Sequence, residues 1–145
     1  MKKFILCFCL LFGACACATS QENWESFEGA SFKEVFVKEF FSFKSLLDPT
    51  EEIMALAGKD FVITGYFIPV ATKDNSIILS KTPFASCFFC GSAGQETVID
   101  VRLSSPSTRN YIADDKIKVR GTLRINAEDW ETLSFILEEA SIVED

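Results

Sequence analysis

The 145-residue chain contains no histidine. That absence removes the base from any Ser-His or Cys-His nucleophile system and the commonest nitrogen ligand from any metal site. Cations are scarce as well: 14 Lys and Arg stand against 21 Asp and Glu, for a net charge of −7. A chain this acidic lacks the clustered Lys and Arg that neutralise nucleic-acid phosphates, and anionic membrane surfaces repel it. No Gly-rich phosphate loop of the Walker or dinucleotide type occurs. The paired acids Glu51-Glu52, Asp114-Asp115 and Glu138-Glu139 are chain neighbours, whose side chains diverge into solvent rather than converge on a substrate. No arrangement of residues asks for an enzyme. Long hydrophobic runs are missing too, since the stretch from Phe4 to Phe12 is far shorter than the roughly twenty residues a membrane-spanning helix needs.

That short run has a different meaning. It follows Lys2 and Lys3 and leads into small residues, which is the layout of a bacterial export signal. Residues 1–20 are therefore expected to direct the chain out of the cytoplasm, and Cys7 and Cys9 serve there as apolar filler. Cys15 and Cys17 each follow an alanine and are candidates for the lipid-modified first residue of a lipoprotein, although Phe12 suits that signal poorly for Cys15. Cleavage after Ala18 or Ser20 meets the small-x-small rule equally well. The expected location is the periplasm, or the envelope as a lipoprotein held only by its lipid. Losing residues 1–20 removes Lys2 and Lys3 and no acid, so the net charge moves from −7 to −9. Residues 21–145 are enough for one domain with one core.

From residue 59 onward short strands alternate with turn signals. KDFVITGYFIPV is apolar on both faces, with Gly65 at its middle and Pro69 near its end, and reads as a central or strongly bent strand with a bulge. SIILSKT follows Lys73-Asp74-Asn75. ETVIDVRLS sets Ile99, Val101 and Leu103 against Val98, Asp100 and Arg102. KIKVRGTLRI alternates most cleanly, with Ile117, Val119, Leu123 and Ile125 inward and Lys116, Lys118, Arg120, Thr122 and Arg124 outward. LSFILEEASIVED closes the set, after a turn or short helix that Asn126 caps. Five such strands, one with a mid-strand glycine, predict a mainly β fold: a small OB-like five-stranded barrel.

Residues 31–47 allow two readings. Phe32, Val35, Phe36, Phe40, Phe43 and Leu47 fall at helical spacing, yet EVFVKEF has the β-branched and aromatic content of a strand. Either element is too apolar for a free linker and should pack on the barrel. In DPTEEIMALAG, Asp48 or Thr50 caps a helical turn, Ile53, Leu56 and Ala57 form its stripe and Gly58 stops it.

The chemically distinctive stretch is ASCFFCGSAGQE, residues 85–96, with Cys87 and Cys90 three apart. An oxidising compartment favours a structural disulfide, which pins the loop even though so short a ring gains only about 2 kcal/mol, against about 3 for a fifteen-residue loop. Two thiolates also supply half of a tetrahedral shell for zinc, or a site for copper(I), with Glu96 and Asp100 as the nearest auxiliary carboxylates or a second chain as donor. A redox dithiol would need Cys87 at a helix N-terminus, and Gly91-Ser92-Ala93-Gly94 is too glycine-rich to make one. Phe88 and Phe89 point in different directions from so tight a loop. At least one of them is a candidate contact for a partner protein. The stripe Lys116, Lys118, Arg120, Arg124 has no interleaved aromatics and reads as solvation of a strand rather than an anion-binding face.

ALAGKDFVITGYFIPV, ILSKTPFASCFFCGSAGQETVIDVRL, IKVRGTLRIN and FILEEASIV together resemble the bacterial exported proteins grouped as domain of unknown function 3299. The likeness spans about residues 50–143, and Trp24 fits an early tryptophan of those chains. Gly58, Lys59, Gly65, Tyr66, Pro69, Gly91, Ala93, Gly94, Glu96 and Gly121 fall on its recurrent positions, as do Cys87, Phe88, Phe89 and Cys90. Gln95 stands where a proline is usual, which leaves that turn less rigid. The resemblance implies an OB-like barrel in the bacterial envelope and no particular activity. The expected function is a non-enzymatic, exported binding or interaction module whose Cys-Phe-Phe-Cys loop forms a disulfide or holds a soft metal, with a protein partner or a second copy of the chain. The alternative is a thiol-disulfide oxidoreductase of the envelope.

Overall fold

The computed structural model describes residues 23–72 and 75–144. The export-signal reading of residues 1–20, with lipidation at Cys15 or Cys17, lies outside the described residues.

A 3-10 turn, Asn23–Phe27, is followed by a hairpin of β1 (Ser31–Val37) and β2 (Ser42–Asp48) and by one helical turn, α1 (Glu51–Met54). Five strands complete the chain: β3 (Asp60–Ile68), β4 (Ser76–Ser80), β5 (Val98–Leu103), β6 (Lys116–Ile125) and β7 (Phe135–Ile142). They close into a barrel in the order β3-β4-β5-β7-β6. Every pairing is antiparallel except that of β5 with β7. The first barrel strand thus pairs with the second and fourth, and the third runs parallel to the fifth, which is the OB-like arrangement.

The interior follows the alternation read from the sequence. Ile117, Val119 and Leu123 of β6 meet Ile99 and Val101 of β5 and Phe61 and Ile63 of β3, all buried. The N-terminal turn belongs to this core. Phe27 is fully buried and stacks at 4.1 Å on Phe135 and 5.4 Å on Phe61. Trp24 packs edge-on against Phe27, and its indole N–H donates to the Thr64 carbonyl at 2.7 Å. Burying these two rings ties residues 23–27 to the barrel more firmly than any surface ion pair does.

The sequence places a bulge at Gly65, and the structure moves it. Pairing through β3 keeps its register on both sides, with β6 along residues 60–66 and β4 along residues 66–68. Gly65 serves close packing instead, because a Cβ there would lie 3.0 Å from Leu79 Cβ and 3.1 Å from the Trp24 ring. The extra residue sits in β7: Leu137 and Ala140 oppose Val101 and Leu103, while Ser141 and Glu138 oppose Arg120 and Thr122. Glu139 is left-handed there, at φ 49°. The bulge turns Ala140 back into the core and presses β7 against β6, where only glycine fits at position 121.

Residues 31–47 form the hairpin, with Phe32 opposite Leu47 and Phe36 opposite Phe43. Packing on the barrel holds at its base, where Leu47 is buried and Phe32 touches the core. Toward the tip, Phe40, Phe41 and Phe43 stay 58%, 86% and 64% exposed. In α1, the Thr50 hydroxyl accepts from the Ile53 N–H at 3.3 Å, and Gly58 at φ 76° ends the turn region.

Candidate binding groove

Between β4 and β5 the chain makes three 3-10 turns, Phe84–Ser86, Phe88–Cys90 and Gln95–Thr97. What holds this loop down is apolar. Ile68 and Ile78 are register partners on the outer wall of β3 and β4, and Cys87 packs on them in a second buried cluster, outside the barrel interior, with Val70 and Leu133 at its margin. Cys87 is consequently fully buried, whereas Cys90 is exposed. The loop also bonds to itself: Cys90 N–H and Ser92 N–H both donate to the Cys87 carbonyl, at 3.1 and 3.3 Å. Gly91, at φ 72°, makes the left-handed turn that lets Ser92 reach back. Asp114 accepts from the Phe84 N–H at 2.7 Å and moors the loop to the β5–β6 connection.

The two cysteines are free thiols 4.0 Å apart. The Cys90 thiol donates to the Phe84 carbonyl at 3.1 Å. Its pKa is pushed up, first by residual desolvation and then by the hydrogen bond and charge of Cys87. That direction disfavours a thiolate. Among the described residues, no three His, Cys, Asp or Glu side chains converge in a group that could hold a metal ion. The Glu96 carboxylate folds back over Gly94, and Asp100 sits on the outer face of β5, so neither joins the sulfurs in such a group. A metal at the pair would find two sulfurs and no third ligand of these types among the described residues.

Phe88 and Phe89 do face something. Phe88 is half-buried, Phe89 is 44% exposed, and their rings meet edge to face at 5.4 Å. They form one wall of a groove of about 840 Å³ on the outside of the barrel. Its floor is the outward face of β4 and β5, with Ser76, Ile78, Asp100 and Arg102. The β3–β4 connection contributes Val70 and Thr72, the β6–β7 connection contributes Trp130 and Glu131, and Lys44 of β2 completes the rim. Asp100 takes the Arg102 Nε–H on one oxygen at 3.2 Å, while its other oxygen is shielded and has no hydrogen-bond partner.

Trp130 is held from both sides. Asn126 is buried; its side-chain oxygen accepts from the Glu128 and Asp129 N–H groups, and its amide nitrogen donates to the Asp129 carbonyl at 2.7 Å. The cap foreseen at Asn126 thus organises a loop rather than starting a helix. Across the groove rim, Phe40 meets Trp130 edge to face at 5.2 Å, and the Lys44 ammonium lies 5.3 Å from the Trp130 ring centre.

The basic stripe is spent on neighbours, in line with its reading as a solvated strand. Arg120 forms a two-pronged pair with Asp60, Arg124 reaches Glu138 at 2.8 Å, and Lys116 lies over the Tyr66 ring. Lys44, Arg102 and Trp130 were not legible as site residues in the sequence. A tryptophan set between acids in a turn, Glu128-Asp129-Trp130-Glu131, is the one available signal.

Comparison with protein-family models, with curated proteins and with solved structures yields no match for this chain.

Proposed function

We propose that the protein is a non-enzymatic binding module of the bacterial envelope, and that its ligand lies in the groove across β4 and β5. The observation that carries this reading is the position of the groove. In OB barrels the face of the second and third strands, flanked by the first-second and fourth-fifth connections, is where ligands bind. Here β4 and β5 are those strands, and the two flanking connections supply Val70, Thr72, Trp130 and Glu131. The resemblance to exported proteins and the signal-like residues 1–20 support an envelope location.

In this reading Cys87 and Cys90 fasten a wall. Closing from 4.0 Å to the ~2.05 Å of a disulfide needs only a local movement, and the bond would hold Phe88 and Phe89 at the groove. A thiol-disulfide oxidoreductase has less support, because the cysteine that would attack, Cys87, is fully buried, and the Cys90 thiol is pushed toward its neutral form. For a protein partner or a second chain, the hairpin tip offers more exposed phenylalanine than Phe88 and Phe89 do.

Purification from an oxidising compartment tests the fastener. The peptide carrying Cys87 and Cys90 should lack both thiol hydrogens, and elemental analysis should find no zinc or copper. Stoichiometric metal with both thiols titratable after its removal would replace the fastener with a metal centre.

A further inference from the structure

We infer that the groove ligand is a neutral oligosaccharide, gripped between Trp130 and the Phe88-Phe89 wall. The inference rests on the binding-module reading and names its ligand class. Four observations lead to it.

The first is charge. Among the described residues the groove is lined by two cations, Lys44 and Arg102, and two anions, Asp100 and Glu131. Lys44 is occupied over the Phe40 and Trp130 rings, and Arg102 is bound by Asp100 and Glu138. Neither sign is in surplus, so neither an anionic polymer nor a polycation finds complementary charge.

The second is the backbone. An extended peptide most often adds to an open sheet edge. Both floor strands are already paired on each side, β4 with β3 and β5, and β5 with β4 and β7. Among the described residues β4 lacks a β3 partner only at Ser76 and Ile77, so the floor itself offers a peptide little backbone to pair with, and the open edge beside the groove is that of β2, which pairs with β1 alone.

The third is the pairing of aromatic rims with a polar floor. A pyranose ring presents C–H groups on its faces and hydroxyls on its edge. The C–H faces are weakly positive and pack on the negative faces of aromatic rings, here Trp130 on one side and Phe89 on the other. The hydroxyls would then meet Ser76, Thr72 and Gln95 together with the Asp100-Arg102 pair. A groove of about 840 Å³ falls within the usual range of organic-ligand sites, roughly 300–1,000 Å³.

The fourth is Asp100. One of its oxygens is bound by Arg102, and the other lacks a donor. An unpartnered buried carboxylate oxygen is costly. That oxygen is shielded, so a ligand meets Asp100 at the oxygen that already takes the Arg102 bond, whose second lone pair can accept a donor from the groove. A sugar hydroxyl is the donor that fits, because it can give its proton to Asp100 while accepting from the Arg102 guanidinium.

The test is heteronuclear NMR of the full mature protein, titrated separately with chitotriose, maltotriose and cellotriose, and in parallel with a neutral tripeptide and a sulfated disaccharide. At least one neutral sugar should shift the Trp130 indole N–H and the amides of residues 76–78 and 100–102 in a saturable way. Asp100→Asn and Trp130→Ala should each weaken that sugar at least tenfold, while the dispersion of the barrel amides stays intact in both variants. Saturable shifts at the same residues from the peptide or the sulfated probe alone would overturn the sugar assignment and leave the groove standing. Absence of shifts from every probe would count against both. Binding indifferent to Asp100→Asn would overturn the recognition geometry.

Discussion

Phe40 at the tip of the hairpin meets Trp130 of the β6–β7 connection edge to face, at 5.2 Å between ring centres. This contact joins the hairpin to the groove, since Trp130 and Lys44 both line it. Such ring pairs contribute about 0.5–1.5 kcal/mol, and partial exposure places this one at the low end. Phe40→Ser should leave the melting temperature within a few degrees of the parent. It should nevertheless speed hydrogen exchange across residues 36–44 and shift Trp130 emission to the red. Unchanged exchange in the hairpin would mean that the contact holds nothing.

Gly121 should be the least replaceable glycine of the barrel. A Cβ there would lie 2.6 Å from the Glu138 carbonyl oxygen and 2.9 Å from Leu137 Cγ, against a backbone that the bulge has already turned. Gly121→Ala is expected to cost at least the 1–3 kcal/mol typical of overpacking. Gly29→Ala, with nothing within 4 Å of the added carbon, should be close to neutral. Chemical denaturation of the two variants makes the comparison, and equal losses would remove the bulge argument.

Phe27 should behave as a core residue, although it lies in a five-residue turn before the first strand. It is fully buried and stacks on Phe135 and Phe61. Phe27→Ala should destabilise by about 3–5 kcal/mol. A loss below about 1 kcal/mol, near what an exposed site gives, would mean the turn merely rests on the barrel.

Asp60 and Arg120 give a pH prediction. The two-pronged hydrogen bond from Arg120 holds the Asp60 carboxyl below its ordinary pKa. A group depressed in the folded state stabilises above its unfolded pKa, about 3.9, and that help is lost as pH falls through the lower folded value. Both side chains are exposed, so solvent and salt weaken the effect. Carboxyl NMR titration should show the Asp60 pKa rising toward the ordinary value in Arg120→Gln. A pKa that stays put would mean that the hydrogen bonds do not set it.

Much of the barrel was written in the sequence because alternation is a local signal. Ile117, Val119, Leu123, Ile99 and Val101 needed only period-two reading to be placed inside. The hairpin was ambiguous because Phe and Val at 32, 35, 36 and 43 satisfy helical spacing while also favouring strands, and cross-strand pairing such as Phe36 with Phe43 decided it. A glycine within a strand marks either a bulge or a close approach, which the sequence does not distinguish, and at Gly65 it is the close approach of Trp24 and Leu79. Cys87 to Cys90 stood out by spacing alone. The groove did not, since Lys44, Phe88, Arg102 and Trp130 are brought together only by closure of the barrel and the folding of three loops.

The most direct test compares nitrogen-15 NMR spectra of the protein with the Cys87–Cys90 pair reduced and oxidised. If that loop is a groove wall laid on an independently stable barrel, shifts should concentrate at residues 84–97 and at groove positions 70–72 and 130–133. The amides of β6 and the inner positions of β3 should stay where they are. Shifts confined to the loop, with Trp130 and Val70 unmoved, would contradict its role as a wall, and collapse of the barrel dispersion on reduction would contradict the independence of the barrel.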